Sequence, residues 1–237
     1  MATARPTLRH YYHVYADGHY DLIVREHFQA LAVSGLARRL DHLHVGFVGS
    51  AERVANARAL VSSLAGPFTA NVAARGWEQE TQDILWADAC RVRPPFLALY
   101  AHTKGASSDT EINMHWRRLM TRHTILGWKR AVQSLRGPVG AAGCFWAPFD
   151  NGRLIGRAEG TQYFAGNFWW ARSEAIAALG PPGRGDRFDA ELWIGGITRP
   201  PHDYRIACLF DAPLTVEELR PHARALTEDR RPHGVAR

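Results

Sequence analysis

The chain has 237 residues, 46% hydrophobic and 22% charged, with a formal charge of +6. Its length suits one large domain or two small ones, and its composition excludes a disordered chain. Three scattered cysteines, Cys90, Cys144 and Cys208, form no CxxC pair; they exclude a disulfide scaffold and read as reduced thiols of a cytoplasmic protein.

Met1–Arg9 is basic and leads into polar His10-Tyr11-Tyr12-His13, so no signal peptide is expected. No stretch approaches the roughly 18 apolar residues of a transmembrane helix. Tyr11–Ala16 reads as a first strand, closed by the turn signal Asp17-Gly18. His27–Leu40, with Phe28, Leu31, Leu36 and Leu40, suits an amphipathic helix. Leu43–Val48 is a second strand, and Ser50 caps a helix running to Leu64. Phe68–Ala73 is a third strand. Glu78–Cys90 is a helix with Ile84 and Leu85 inward, and Phe96–Ala101 is a buried strand. This alternation implies an α/β fold with a mostly parallel sheet and helices on both faces. Ligands of such sheets bind outside the carboxyl ends of the strands.

A long helix is expected over Asp109–Leu135, opened by a Ser108–Glu111 capping box and striped by Ile112, Trp116, Leu119, His123 and Leu126. Val139–Trp146 reads as a strand, Pro148–Gly160 as turns, and Phe168–Leu179 as the entry to a helix. Gly180–Gly185 is a loop and Tyr204–Phe210 a late strand. Thr215 and Glu218 form a second capping box, for a helix to Leu226. Glu228–Arg237 is a polar tail expected to be disordered. No linker separates two cores, so residues 1–227 are expected to form one domain.

Three segments carry candidate chemistry. Ala101-His102-Thr103-Lys104-Gly105 leaves a buried strand and precedes a helix. A helix N-terminus and a lysine both suit phosphate, and Gly105 permits close backbone approach; a plain turn with a solvated lysine is the alternative. Only two of the 29 basic residues are lysines, which singles out Lys104. Gly166-Asn167-Phe168-Trp169-Trp170-Ala171-Arg172 sets three consecutive aromatics after Gly-Asn. Read as a helix they point to different faces, so Asn167 and one tryptophan are candidates for a sugar or base site and the others for core. In Phe188-Asp189-Ala190-Glu191-Leu192-Trp193-Ile194-Gly195-Gly196, spacing alone places Asp189 and Glu191 in a helix's first turn as dipole partners. A partly buried carboxylate serving as general base is the other reading.

In this order, HTKG, GNFWWAR and AELWIG resemble segments of bacterial and phage stand-alone glycosyltransferase-like proteins of the GT-A type. The resemblance covers Phe96–Gly196. It implies a Rossmann-like, GT-A-like single domain that binds a nucleotide-sugar, a UDP-sugar first among the candidates. It implies Glu191 as the catalytic base of an inverting transfer, with Asp189 as substitute. His102, Thr103, Lys104 and Gly105 would hold the donor diphosphate, with Asp17 at the nucleotide by sheet-edge geometry. Gly166, Asn167, Trp169, Trp170 and Arg172 would line the sugar or acceptor pocket. Many such enzymes hold a divalent metal on Asp-x-Asp. None of the 12 aspartates here lies two residues from another, so Lys104, the helix N-terminus and His102 are expected to replace the metal.

The twelve histidines include His42 with His44, His10 with His13, and His115 with His123, none in a metal-ligand motif. No G-x-S-x-G supports a hydrolase triad, and no GxGxxG follows the first strand. The acceptor stays open between a saccharide or glycoconjugate and a hydroxymethylated DNA base. The basic charge and the expected exposed face of Arg117, Arg118, Arg122 and Arg130 keep the second in view. A non-catalytic nucleotide- or nucleic-acid-binding module is the non-enzymatic alternative.

Overall fold

A computed structural model describes residues 5–108, 110–148 and 162–223. The Glu228–Arg237 tail and most of the Pro148–Gly160 stretch lie outside them. The strands are β1 (Thr7–Tyr15), β2 (His42–Val48), β3 (Thr69–Ala73), β4 (Phe96–His102), β5 (Val139–Cys144), β6 (Trp146–Pro148), β7 (Gln162–Phe164), β8 (Trp169–Arg172) and β9 (Arg205–Phe210). The helices are α1 (Tyr20–Val33), α2 (Ala51–Leu64), α3 (Gln79–Arg91), α4 (Glu111–Thr121), α5 (Trp128–Ser134), α6 (Ser173–Ala178), α7 (Arg187–Trp193) and α8 (Val216–Leu219).

Seven strands form one sheet in the order β3-β2-β1-β4-β8-β5-β9, and β6 and β7 form a separate ribbon. The first four are parallel, as the strand–helix alternation predicts. β8 runs against both β4 and β5, and β9 lies parallel to β5. Side chains alternate between two cores. On β4, Leu99 and Ala101 enter the core under α1, α2, α4 and α5, while Phe96, Ala98 and Tyr100 enter the one under α3 and α6. With both faces covered, the central strands are buried almost end to end. The mostly parallel α/β sheet with helices on both faces is therefore as expected.

Several expected elements are corrected. The helix placed at His27–Leu40 runs from Tyr20 to Val33, because Gly35 at φ +73° ends it with its N–H on the Ala32 carbonyl. The helix placed at Asp109–Leu135 starts at Glu111 and is broken by a π turn over Arg122–Leu126. Its N-cap is Thr110, whose hydroxyl accepts from the Asn113 N–H; Ser108 does not cap it. Val139–Trp146 splits into β5 and β6 around Phe145, at φ 57°. Phe168–Leu179 opens with a strand, because Phe168 and Trp170 face one core and Trp169 and Ala171 the other. Three consecutive aromatics are what a strand buried on both faces accommodates, and period two explains them where helical period does not. Thr215 does cap α8, by accepting from the Glu218 N–H, but α8 stops at Leu219.

Candidate active site

The carboxyl ends of β1, β2 and β4 open into a cleft of about 590 Å³. Hydrogen bonds fasten the segments that leave these strands. Thr103 N–H donates to His13 O at 3.0 Å, and Tyr15 N–H donates to Thr103 Oγ1 at 2.9 Å. His19 N–H reaches Ala106 O at 3.0 Å. Gly18, at φ +54°, makes that approach possible, since a Cβ there would stand 1.9 Å from Ala106 O. The HTKG residues His102, Thr103, Lys104 and Gly105 all line the cleft, and so do Asp17 and Glu191.

Lys104 supplies the segment's charge. Its Nζ lies 4.1 Å from the centre of the Trp116 ring, which holds the ammonium by cation–π attraction. The first turn of α4, from Glu111, lies outside the lining of the cleft. The cleft wall ends at Ser107, and the Lys104, Ala106 and Ser108 N–H groups are taken up within the turn itself. Lys104 is the cationic side chain that this segment brings to the cleft. Asp17 pairs with Arg53 at 2.6 Å and accepts from the Gly18 N–H, so it shapes the mouth of the cleft as half of an ion pair.

His102 is placed differently from its expected role at a diphosphate. Its Nε2 is hydrogen-bonded to Gly166 O at 2.9 Å, and its Nδ1 faces Glu78 Oε1 at 3.2 Å. Burial, reinforced by Lys104, pushes its pKa down to about 4. Burial thus favours the neutral form of the ring. Beside it Glu78 receives Asn167 Nδ2 at 2.5 Å and the Tyr100 hydroxyl at 3.3 Å. Burial pushes the Glu78 carboxyl up to about 7, against the opposing pull of Asn167 and Lys104. The sequence reading missed Glu78 as a site residue. The available signal was its position between the end of β3 and the start of α3, at the carboxyl edge of a parallel sheet.

Glu191 comes from α7. Asp186 caps this helix, and the Asp189 carboxylate reaches back to the Gly185 and Asp186 N–H groups at 2.6 and 3.1 Å. The Gln79 and Gln82 side chains of α3 hold the Asp186 and Ala190 carbonyls. This turns Glu191 into the cleft, while Asp189 is a capping residue outside its lining. The Glu191 carboxylate makes no hydrogen bond or ion pair with a described residue. Burial raises its pKa, Glu78 raises it further, and Lys104, His102 and Arg187 oppose them. Arg187 lines the cleft with Glu191.

The Gly166–Arg172 segment does not line the cleft. Asn167, Trp169 and Trp170 are fully buried. Asn167 Oδ1 accepts from Trp169 Nε1 at 2.7 Å, and Trp170 Nε1 donates to Thr124 O in the π turn. Gly166 offers only its carbonyl, to His102. Arg172 lies at the opposite end of the sheet, bound to Gly137 O and Glu174. The expected arginine face is also altered, because Arg117 and Arg118 both pair with Glu26 and Arg117 is buried.

Among the described residues no three His, Cys, Asp or Glu side chains gather as a ligand set for a metal ion. No described helix is long and apolar enough to cross a membrane.

No family model and no curated protein matches the chain. Solved structures similar to it include a 4-diphosphocytidyl-2C-methyl-D-erythritol synthase from Anaerococcus prevotii, at 8% identity and TM-score 0.47, covering 88% of each chain. A mannosyltransferase from Pyrobaculum calidifontis, in complex with GDP-Man and Mn2+, matches at 15% identity and TM-score 0.49. It covers 89% of this chain and 57% of its own. A putative nucleotide-diphospho-sugar transferase from Desulfovibrio desulfuricans matches at 14% identity and TM-score 0.45, covering 86% and 80%. Likeness at this level is one of general architecture and assigns no activity to this chain.

Proposed function

We propose that the chain is a glycosyltransferase that moves a sugar from a nucleotide-sugar to an acceptor hydroxyl. The observation that carries this reading is the meeting of Lys104 and Glu191 in one cleft at the carboxyl edge of the parallel strands. Lys104 rests on an aromatic ring and makes no ion pair among the described residues, so its charge is available to an anionic ligand. Glu191 has unused lone pairs and a raised proton affinity, the two properties a general base needs.

In the proposed step, Glu191 takes the proton of the acceptor hydroxyl. The oxygen bonds to the anomeric carbon as that carbon's bond to the diphosphate breaks, and the electron pair leaves on the nucleoside diphosphate. A single displacement of this kind inverts the anomeric configuration. Lys104 and Arg187 neutralise the departing charge in the place where a divalent metal often acts. That metal-independent reading rests on the missing Asp-x-Asp and on the cations lining the cleft. The acceptor is read as a saccharide or glycoconjugate. A modified-DNA acceptor loses part of the arginine face it was expected to use, since Arg117 and Arg118 are held by Glu26.

The test is a thermal-shift panel of UDP-, GDP-, TDP- and CMP-sugars in EDTA. A ligand at about 100 times its Kd stabilises by ~2.7 kcal/mol, so one nucleotide class is expected to stand out. Glu191→Gln is expected to keep that shift while turnover falls by about 10²–10⁴-fold. A silent panel would sink the transferase reading. Activity lost in EDTA and restored by Mn2+ would sink metal independence.

A further inference from the structure

We infer that Glu78 and His102 hold one proton between them in the floor of the cleft, and that Glu78 thereby keeps the floor uncharged where the donor's diphosphate lies against Lys104. The part that concerns the donor rests on the proposed function; the shared proton rests on the geometry of the pair.

The hydrogen positions follow from which atoms are able to donate. Gly166 O only accepts, so His102 Nε2, at 2.9 Å, carries a hydrogen. The Trp169 indole N–H only donates, so the Asn167 atom it meets at 2.7 Å is Oδ1. Asn167 Nδ2 is thereby turned to Glu78 Oε2, which the Tyr100 hydroxyl also approaches. Oε2 is an acceptor twice over. Oε1 is left facing His102 Nδ1 at 3.2 Å. In a neutral ring with hydrogen on Nε2, Nδ1 is a bare lone pair. Two lone-pair atoms then face each other at 3.2 Å unless one of them carries a proton.

That proton sits on Oε1 or on Nδ1, and the pair is neutral either way. Burial favours Oε1, since it lowers the histidine to about 4 and raises the carboxyl to about 7. Losing the proton sets a carboxylate against a lone pair and leaves one negative charge in the floor. The other groups facing the pair are Lys104 beyond β4, Tyr100 on β4, His13 on β1, and Arg187 and Glu191 on α7. His13 is neutral, because burial, then His102, lowers it to about 3. A second carboxylate beside Glu191 would bind Lys104 electrostatically and repel the diphosphate. The protonated pair is thus the state that accepts an anionic ligand. Affinity then falls as pH rises through the pair's pKa, by up to roughly tenfold per unit above it.

The first test needs no ligand. In the free chain, the Glu78 carboxyl carbon is followed by 13C NMR and the His102 ring nitrogens by 15N NMR. A carboxyl midpoint near 7 and a hydrogen on Nε2 are expected. A midpoint at the ordinary 4.5, or a ring protonated only on Nδ1, overturns the shared proton. The second test measures affinity for a UDP-hexose, whose diphosphate has no ionisation near neutral pH, from acid to alkaline side of the pair's pKa. A loss of roughly tenfold or more is expected, and Glu78→Gln, neutral at every pH, removes the slope. A flat wild-type profile, or the same slope in Glu78→Gln, overturns the role in donor binding. No binding of any nucleotide-sugar in the panel overturns the proposed function and this role with it, and the NMR titration still decides the pair.

Discussion

HTKG and GNFWWAR are both strand-end segments rich in chemistry, yet the fold uses them in opposite ways. His102–Gly105 leaves the carboxyl end of β4 and forms a wall of the cleft. Gly166–Arg172 enters β8, which runs against β4, with Trp169 opposite Tyr100 and Arg172 opposite Leu97. Its first residues therefore come in beneath the cleft, and its last one lies at the far end of the sheet. One segment meets the solvent space and the other holds the groups that do. Polar residues and aromatics together identify proximity to a site; strand direction decides between lining and support.

The sharpest way to break this division is Trp169→Ala. The ring is fully buried, stacks on Tyr100 with centroids 5.0 Å apart, and donates to Asn167. Loss of about 3–5 kcal/mol in chemical denaturation is expected of a supporting tryptophan. A nearly unchanged stability with lost ligand affinity would return it to the binding surface. Asn167→Ala is expected to be next. It strands the Trp169 N–H and removes the amide from Glu78, at a cost of about 1–3 kcal/mol. Unlike the tryptophan change, it should also alter the titration of Glu78 seen by 13C NMR. Unaltered titration would mean that Asn167 serves packing alone.

Apart from α1, which lies earlier in the chain than expected, the first half of the fold was legible because its information is local. Ser50 before Ala51, the apolar run from Phe96, and the alternation of short strands with helices each declare themselves within a few residues. The second half was less legible because tertiary contacts decide it. A helix start at Thr110 rather than Ser108, and a π turn whose Thr124 carbonyl meets Trp170, are settled by neighbours distant in sequence. The site divides in the same way. Lys104 stands out by residue type and sheet-edge position, whereas Glu191 is singled out only by the resemblance, since spacing alone makes it a helix-dipole partner. Glu78 stands out by neither, since a glutamate before a helix is ordinary, and only the approach of Asn167 and His102 makes it unusual.

Lys104→Ala refines the account of the wall. The ammonium faces the cleft and its burden of packing is one ring contact. Nucleotide-sugar affinity is expected to fall about tenfold by calorimetry, the scale of one charge-assisted contact, with stability lowered by no more than about 1 kcal/mol. A large drop in stability with intact affinity would make Lys104 a structural residue.

The smallest expected effect separates the two carboxylates of α7. Asp189 spends one oxygen on the Gly185 and Asp186 N–H groups, and Asp186 caps the same turn from the other side. Removing it with Asp189→Ala opens one half of a capping box, worth about 1 kcal/mol. Glu191 lies on the adjoining part of α7, fixed independently by Gln82 and Asn167 on the Ala190 carbonyl. Glu191, the proposed base, should therefore keep its place, and turnover measured below the unfolding range should stay near wild type. A fall in kcat far larger than that loss of stability would mean that Asp189 acts on the substrate, and that the cap is not its main role.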